Sequence, residues 1–282
     1  MQFQAAIQKA HNAVRDRSHV VHPSHWQATD VSKMPEAATH EVLNYILQAQ
    51  IWTEDLDLLR KDIKPNLPWA DDHFLERVSG EALNPGVQWA KWPWGNKADK
   101  SRHVRMKKPN AEYLGFSHTY MERYWPNNAG AYDVIGVDGN NHLGIDELPR
   151  KGIRYDYGNL NDVVEMLRQQ PLTRQAYLPV WFPEDTGNTK VRLPCTLGYH
   201  FLMRYGFLHV TYYIRSCDIY RHMADDIYLT VRLLLWVLNQ LREPMRGSPN
   251  EWDAVKPGMF NMNIVSLHCF KNDYIKLYGA PK

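Results

Sequence analysis

The order of apolar patterns predicts an α+β fold, with a central sheet of mixed or antiparallel strands and helices packed on one face. Three runs rich in aromatic and β-branched residues follow one another: RQAYLPVWF, RLPCTLGYHFLMRY and FLHVTYYIRS. A strongly apolar helical segment, DDIYLTVRLLLWVLNQLRE, comes directly after them. A further strand-like run, FNMNIVSLHCF, precedes a short terminal helix.

Taken in order, residues 2–16 space their apolar positions as a short amphipathic helix. Apolar residues at three- and four-residue steps then predict a long helix over 36–59, ended by Pro65 and Pro68. Two irregular segments follow, at 84–112 and 127–152. The first is rich in Trp, Lys, Pro and Gly, and the second carries the turn signals Asp138-Gly139 and Asn140-Asn141. Asn159 caps a helix that places Val163, Val164 and Leu167 on one face and stops at Pro171. Gly187-Asn188 separates the first two strand-like runs, and Gly206 the second and third. No repeat interrupts this order, so the 282 residues read as one domain carrying two insertions.

Composition narrows the function classes. Lys+Arg 33 against Asp+Glu 31 leaves a formal charge of +2, which disfavours a nucleic-acid binder. Three cysteines, all late in the chain, argue against a disulfide framework and for a reducing setting. The N-terminus lacks the apolar core of a signal peptide, and the run at 227–238 is broken by Thr230 and Arg232. A soluble cytoplasmic protein without a membrane partner is the expectation. The 13 His show no metal-ligand spacing, so no metal is expected.

The residues able to carry chemistry lie mostly in the second half. By composition alone Cys195 reads as a buried structural thiol. Arg215 followed by Ser216 offers a planar fork and a hydroxyl suited to a phosphate. A cation near a thiol also favours the nucleophilic thiolate.

The combination is more specific than any part. Thr173-Arg174 opens a strand; Leu193-Pro194-Cys195-Thr196, Arg215-Ser216-Cys217-Asp218, Asp226 and Ser266-Leu267-His268-Cys269-Phe270 follow in order. Across about residues 113–270 the chain resembles the thymidylate synthase superfamily. Within it, the chain looks most like the phage branch, the deoxycytidylate (dCMP) hydroxymethylases. That branch pairs its nucleophilic cysteine with threonine, as in Cys195-Thr196, and carries a late Ser-Leu-His.

The resemblance implies a single thymidylate synthase-like α+β domain that dimerises through its sheet. It implies 5,10-methylene-tetrahydrofolate as co-substrate and a pyrimidine deoxynucleoside monophosphate as substrate. Cys195 would add to carbon six of the ring, making carbon five nucleophilic toward a one-carbon unit. Arg215 and Ser216 would hold the nucleotide phosphate, joined across the dimer by Arg174, although Gln175 stands where the family has a second arginine. Asp218 matches the aspartate that contacts the pterin, and His268 a histidine at the sugar. The family tyrosine two residues beyond is replaced by Phe270, with Tyr274 a candidate substitute. Of Glu76 and Glu81, Glu76 is preferred as the proton-handling carboxylate because its stretch is helix-like. Tyr120 aligns with a tyrosine that assists proton removal from carbon five.

The resemblance implies that Asp226 discriminates between substrates. Thymidylate synthases have Asn there, matching uracil; a carboxyl suits the reversed edge of cytosine, accepting from the amine and sharing a proton with the ring nitrogen. Its alternative reading is the cap of the following helix, beside Asp225. The expected reaction is hydroxymethylation of dCMP, giving 5-hydroxymethyl-dCMP for modified phage DNA. The polar, cationic YIKLYGAPK fits poorly with hydride transfer in a dry site, while the Trp-rich 89–94 segment is a candidate wall of the folate site. Methylation or hydroxymethylation of dUMP is the alternative within the family, and a non-catalytic RNA-binding protein on the same fold the alternative outside it.

Overall fold

The computed structural model describes residues 1–26, 29–84, 86–92, 118–127, 158–186, 193–243 and 251–280. Most of the two expected insertions, and the expected turn at Gly187-Asn188, lie outside these residues. Helix α1 (Gln2–Arg17) leads through the short strands β1 (His19–Val21), β2 (His25–Trp26) and β3 (Thr29–Asp30) to the long β4 (Thr39–Gln50). Helices α2 (Leu56–Ile63), α3 (Trp69–Arg77), α4 (Tyr120–Tyr124) and α5 (Leu160–Gln169) follow. The second half runs β5 (Tyr177–Pro179), β6 (Thr196–Arg204), β7 (Phe207–Asp218), α6 (Met223–Arg242), β8 (Lys256–Phe270) and α7 (Lys271–Tyr278).

Six strands form one mixed sheet in the order β1-β4-β8-β7-β6-β5, antiparallel except for the parallel β7–β8 pair. Helix α6 explains the core: Ile227, Tyr228, Val231, Leu233, Leu234, Val237 and Leu238 are all buried. Helix α1 covers β4 with Phe3, Ala6, Ala10 and Val14, and the Phe3 ring meets Phe260 of β8 edge-on at 5.7 Å. Its first turn is closed from outside, because Asp62 on α2 accepts from the backbone N–H of Phe3 and of Gln4. One connected cluster of buried side chains runs from Phe3 to Tyr274.

The helix expected over 36–59 is instead β4 followed by α2. Leu47, Ala49 and Ile51 alternate into the core while Ile46 and Gln48 point away, a two-residue period within a run that also fits helical spacing. Pairing with β8 from Thr39↔Phe270 to Gln50↔Met259 decides between them, since ladder hydrogen bonds override local propensity. The helix itself starts one residue after Asp55, whose carboxylate accepts from the N–H of Asp57 and Leu58.

The three long strands share an irregularity that shapes one end of the sheet. On β7 the buried positions are Leu208, Val210, Tyr212 and Ile214, then Cys217; on β8 they are Phe260, Met262 and Ile264, then Leu267 and Cys269. The inward parity therefore flips at Arg215 and Val265, which are skipped between the Ile214↔Ile264 and Ser216↔Ser266 pairs of the β7–β8 ladder. Asn44 of β4, with φ of +52°, is skipped opposite Val265. Beyond the flip, Glu41, His268 and Asp218 stand in one row across β4, β8 and β7, and Ser266 and Ser216 in the next. Among the described residues no helix is long and apolar enough to cross a membrane.

Candidate active site

Cys195 lies at a bend immediately before β6, rather than inside the strand as its sequence suggests. It is partly exposed, whereas Cys217 and Cys269 are buried. Burial pushes the Cys269 thiol up to about 12 and that of Cys217 well above its ordinary value, so neither is a ready nucleophile. The segment leading to Cys195 is held by Arg215, whose Nε and Nη2 donate to the carbonyls of Pro194 (2.8 Å) and Leu193 (3.1 Å). The Arg215 backbone N–H donates to the Cys195 carbonyl. This leaves the Arg215 Nη1 without a hydrogen-bond partner among the described residues.

Tyr120 opens α4, which Thr119 and Glu122 cap reciprocally. Its phenol is 3.0 Å from the Thr196 hydroxyl, which in turn is 2.8 Å from the phenol of Tyr212 on β7. A three-member hydroxyl chain therefore starts at the residue following Cys195. Burial, with the Cys195 charge next, pushes the Tyr120 phenol up to about 12, so it works as a neutral donor and acceptor.

Asp226 is not the cap of its helix. Helix α6 begins at Met223 after His222, and Asp226 sits one turn inside. Its neighbour Asp225 accepts from the backbone and side-chain N–H groups of Asn66, tying down the loop before α3. Burial pushes the Asp226 carboxyl up to about 7, and the Arg77 guanidinium opposes this only in part. Asp226 Oδ2 is 3.9 Å from the Cys217 sulfur.

Helix α3 supplies Glu76 and two residues the sequence reading passed over. Arg77 is buried and stacks over the Tyr120 ring at 4.0 Å, and its Nε donates to His73 Nε2 at 2.9 Å. His73 Nδ1 is 3.3 Å from Glu76 Oε2, and the backbone N–H of Gln88 donates to Glu76 Oε1. Burial would raise the Glu76 carboxyl, but His73 and the N–H groups of Gln88 and Val87 outweigh it, leaving the pKa below its usual value. Glu81 is exposed on the loop beyond. The i, i+4 spacing of His73 and Arg77 was the available signal, and in one sequence it matches any solvated helix face.

At the end of β7, Asp218 Oδ1 accepts from the N–H of Tyr220 and Arg221. Its buried Oδ2 lies 3.6 Å from Arg221 Nε and has no hydrogen-bond partner among the described residues. Burial raises its pKa and lowers that of His268, each opposing the other's shift. His268 Nδ1 is 3.5 Å from the Ser216 hydroxyl, and Glu41, also unnoticed in the sequence, accepts from Ser266 beside it. Phe270 meets His268 edge-on and Arg221 over its ring. Tyr274 does not take up the missing phenolic role: its hydroxyl donates to the Arg15 carbonyl and its ring stacks on His40 at 3.6 Å.

Arg174 stands apart from this group, exposed on the turn before β5, where its carbonyl faces His200 Nε2. Of the Trp-rich 89–94 segment, Trp92 stacks on His222 just before α6, and residues 93 and 94 lie outside the described residues. No group of three or more His, Cys, Asp and Glu is placed to hold a metal ion among the described residues.

This sheet, with its helices, is the fold of the thymidylate synthases. The thermostable thymidylate synthase A from Bacillus subtilis superposes with a TM-score of 0.59 at 12% identity, covering 99% of this chain and 84% of that one. The thymidylate synthase family model matches residues 48–274, and the chain belongs to that family. Two proteins named "Putative thymidylate synthase", from Methanosarcina barkeri and Methanosarcina acetivorans, are each 28% identical over 113 residues. That match spans 40% of this chain and 46% of theirs.

Proposed function

We propose that this protein is a folate-dependent deoxycytidylate hydroxymethylase that works as a homodimer. The observation that carries the reading is Asp226, a carboxyl one turn inside α6 that retains a proton up to about pH 7. A protonated carboxyl can donate to the acceptor nitrogen of cytosine and accept from its exocyclic amine; uracil presents the opposite pattern.

Cys195, the one partly exposed thiol of the three, is the group for addition to carbon six. The ring electrons then move to carbon five, which becomes the nucleophile. Methylene-tetrahydrofolate supplies a one-carbon unit at the oxidation level of formaldehyde, and Asp218 Oδ2, which has no hydrogen-bond partner among the described residues, is the group suited to a pterin N–H. Arg215 and Ser216 hold the phosphate, and His268 reaches the sugar. Carbon five bonds to the one-carbon unit and gives up its proton, which the Tyr120–Thr196–Tyr212 hydroxyls relay to the tetrahydrofolate nitrogen as the bond from that nitrogen to the transferred carbon breaks, leaving an exocyclic methylene on the nucleotide. Glu76, ionised at neutral pH, takes a proton from the water that adds to the nucleotide's exocyclic methylene. Release of the thiolate completes the turnover. Leu43, Ile46 and Val265, 64%, 59% and 49% exposed on β4 and β8, supply an apolar surface through which the sheets pair.

Incubation with methylene-tetrahydrofolate and either dCMP or dUMP, followed by product mass, tests the reading. A hydroxymethyl group added to dCMP is expected. A methyl group, or exclusive use of dUMP, overturns it in favour of thymidylate synthesis, the activity in the names of its relatives. Cys195→Ala abolishes turnover in this reading, whereas a purely RNA-binding protein on the fold would retain its function.

A further inference from the structure

We propose that His73 is a positioning residue for Glu76, acting as an N–H donor whose tautomer is set by Arg77. The inference rests on the reading of Glu76 as the proton-handling carboxylate. A guanidinium has only N–H groups to offer, so the 2.9 Å contact from Arg77 Nε requires the lone pair of His73 at Nε2. The ring proton is thereby placed on Nδ1, the nitrogen 3.3 Å from Glu76 Oε2. Protonating the ring would set two N–H groups against each other, so the neutral form persists where an exposed histidine would charge.

The surroundings fix both partners. Trp69 stacks on the His73 ring, with centroids 4.8 Å apart, and its indole N–H donates to the Gln88 carbonyl. Gln88 in turn donates its backbone N–H to Glu76 Oε1, so each carboxylate oxygen has its own donor. Gly86 closes the third side, since a Cβ there would lie 2.2 Å from the Glu76 carboxyl carbon. On the far side of Arg77 lie Tyr120 and Tyr124 of α4, Tyr199 of β6, and Asp225 and Asp226 of α6. One guanidinium therefore touches the Tyr120 ring, fixes the His73 tautomer and partly offsets the burial that favours the protonated form of Asp226.

The test starts with the unmodified protein. Histidine-selective 15N NMR without substrate is expected to show His73 protonated on Nδ1 alone from about pH 5.5 to 8; a proton on Nε2 in that range overturns the proposal. Two variants then separate the two ring nitrogens. His73→Asn keeps a donor on the Nδ1 side, and His73→Gln keeps only an acceptor on the Nε2 side. The 13C titration of the Glu76 carboxyl is expected to move upward in the Gln variant and to return toward the wild-type position in the Asn variant. Turnover at neutral pH is expected to fall about tenfold in the Gln variant with nucleotide KM unchanged, the scale of losing a support to a working ligand. If the titration stays put, His73 does not position Glu76. If it moves while turnover does not, the positioning stands and the catalytic reading of Glu76 fails.

Discussion

Under the proposed function, Asp226 would couple recognition of the base to pH. With its carboxyl pushed up to about 7 by burial, the protonated form that cytosine needs is lost as pH rises through that value. The kcat/KM for dCMP is accordingly expected to fall above about pH 7, with the limb absent in Asp226→Asn. That variant should also lose about 10³-fold on dCMP and gain on dUMP, because each base then meets the opposite edge and buried polar groups go unpaired. Steady-state kinetics on both nucleotides across pH decides this; a variant that keeps its preference for dCMP refutes the role. The sequence offers Asp226 as a candidate because a spacing of eight residues from Asp218 sets it in a motif. Arg77 and His73 were not legible, because nothing local distinguishes a buried arginine–histidine pair from a solvated one. Only the packing of α3 against α4 and α6 brings them to the site.

At the scale of elements, the sequence reading succeeded where local pattern and packing agree, as in α5, α6 and strands β6 to β8. It failed at β4, where apolar spacing suited both periods and a partner more than 200 residues away decided the outcome. The contact between α3 and α6 has a consequence for stability. His73 is held down to about 4 by burial and by Arg77, so acid stabilises the unfolded chain and stability drops as pH falls from about 6.5 toward 4. Asp226 acts in the opposite sense: with its folded pKa raised, its contribution is present at low pH and is lost as pH rises from about 4 to 7. Each effect is on the order of 3 kcal/mol, so the two largely offset each other over the shared window. Removing one exposes the other. Asp226→Asn should therefore melt progressively higher than wild type as pH rises from about 4 to 7. Parallel Tm curves for the two proteins across that window would show that Asp226 is not protonated in the folded state.

For the whole molecule, the question is where Arg174 works. Within one chain it is exposed and lies outside the cluster around Cys195, while Arg215 spends two donors on the backbone ahead of that cysteine. A phosphate at Arg215 and Ser216 would gain a second guanidinium if a partner subunit delivered its Arg174, and an isologous sheet-to-sheet dimer would deliver one to each site. The apolar exposure of Leu43, Ile46 and Val265 gives that dimer a surface to bury. The arrangement is testable by complementation. Arg174→Ala and Cys195→Ala homodimers should each be strongly impaired, since every site in each carries a lesion. Unfolding and refolding them together yields mixed dimers in which one site collects both lesions and the other none. With random pairing half the dimers are mixed, so activity should recover to about a quarter of wild type. Recovery at that level places Arg174 in the neighbouring subunit's site, whereas a mixture no more active than its parents confines Arg174 to its own chain.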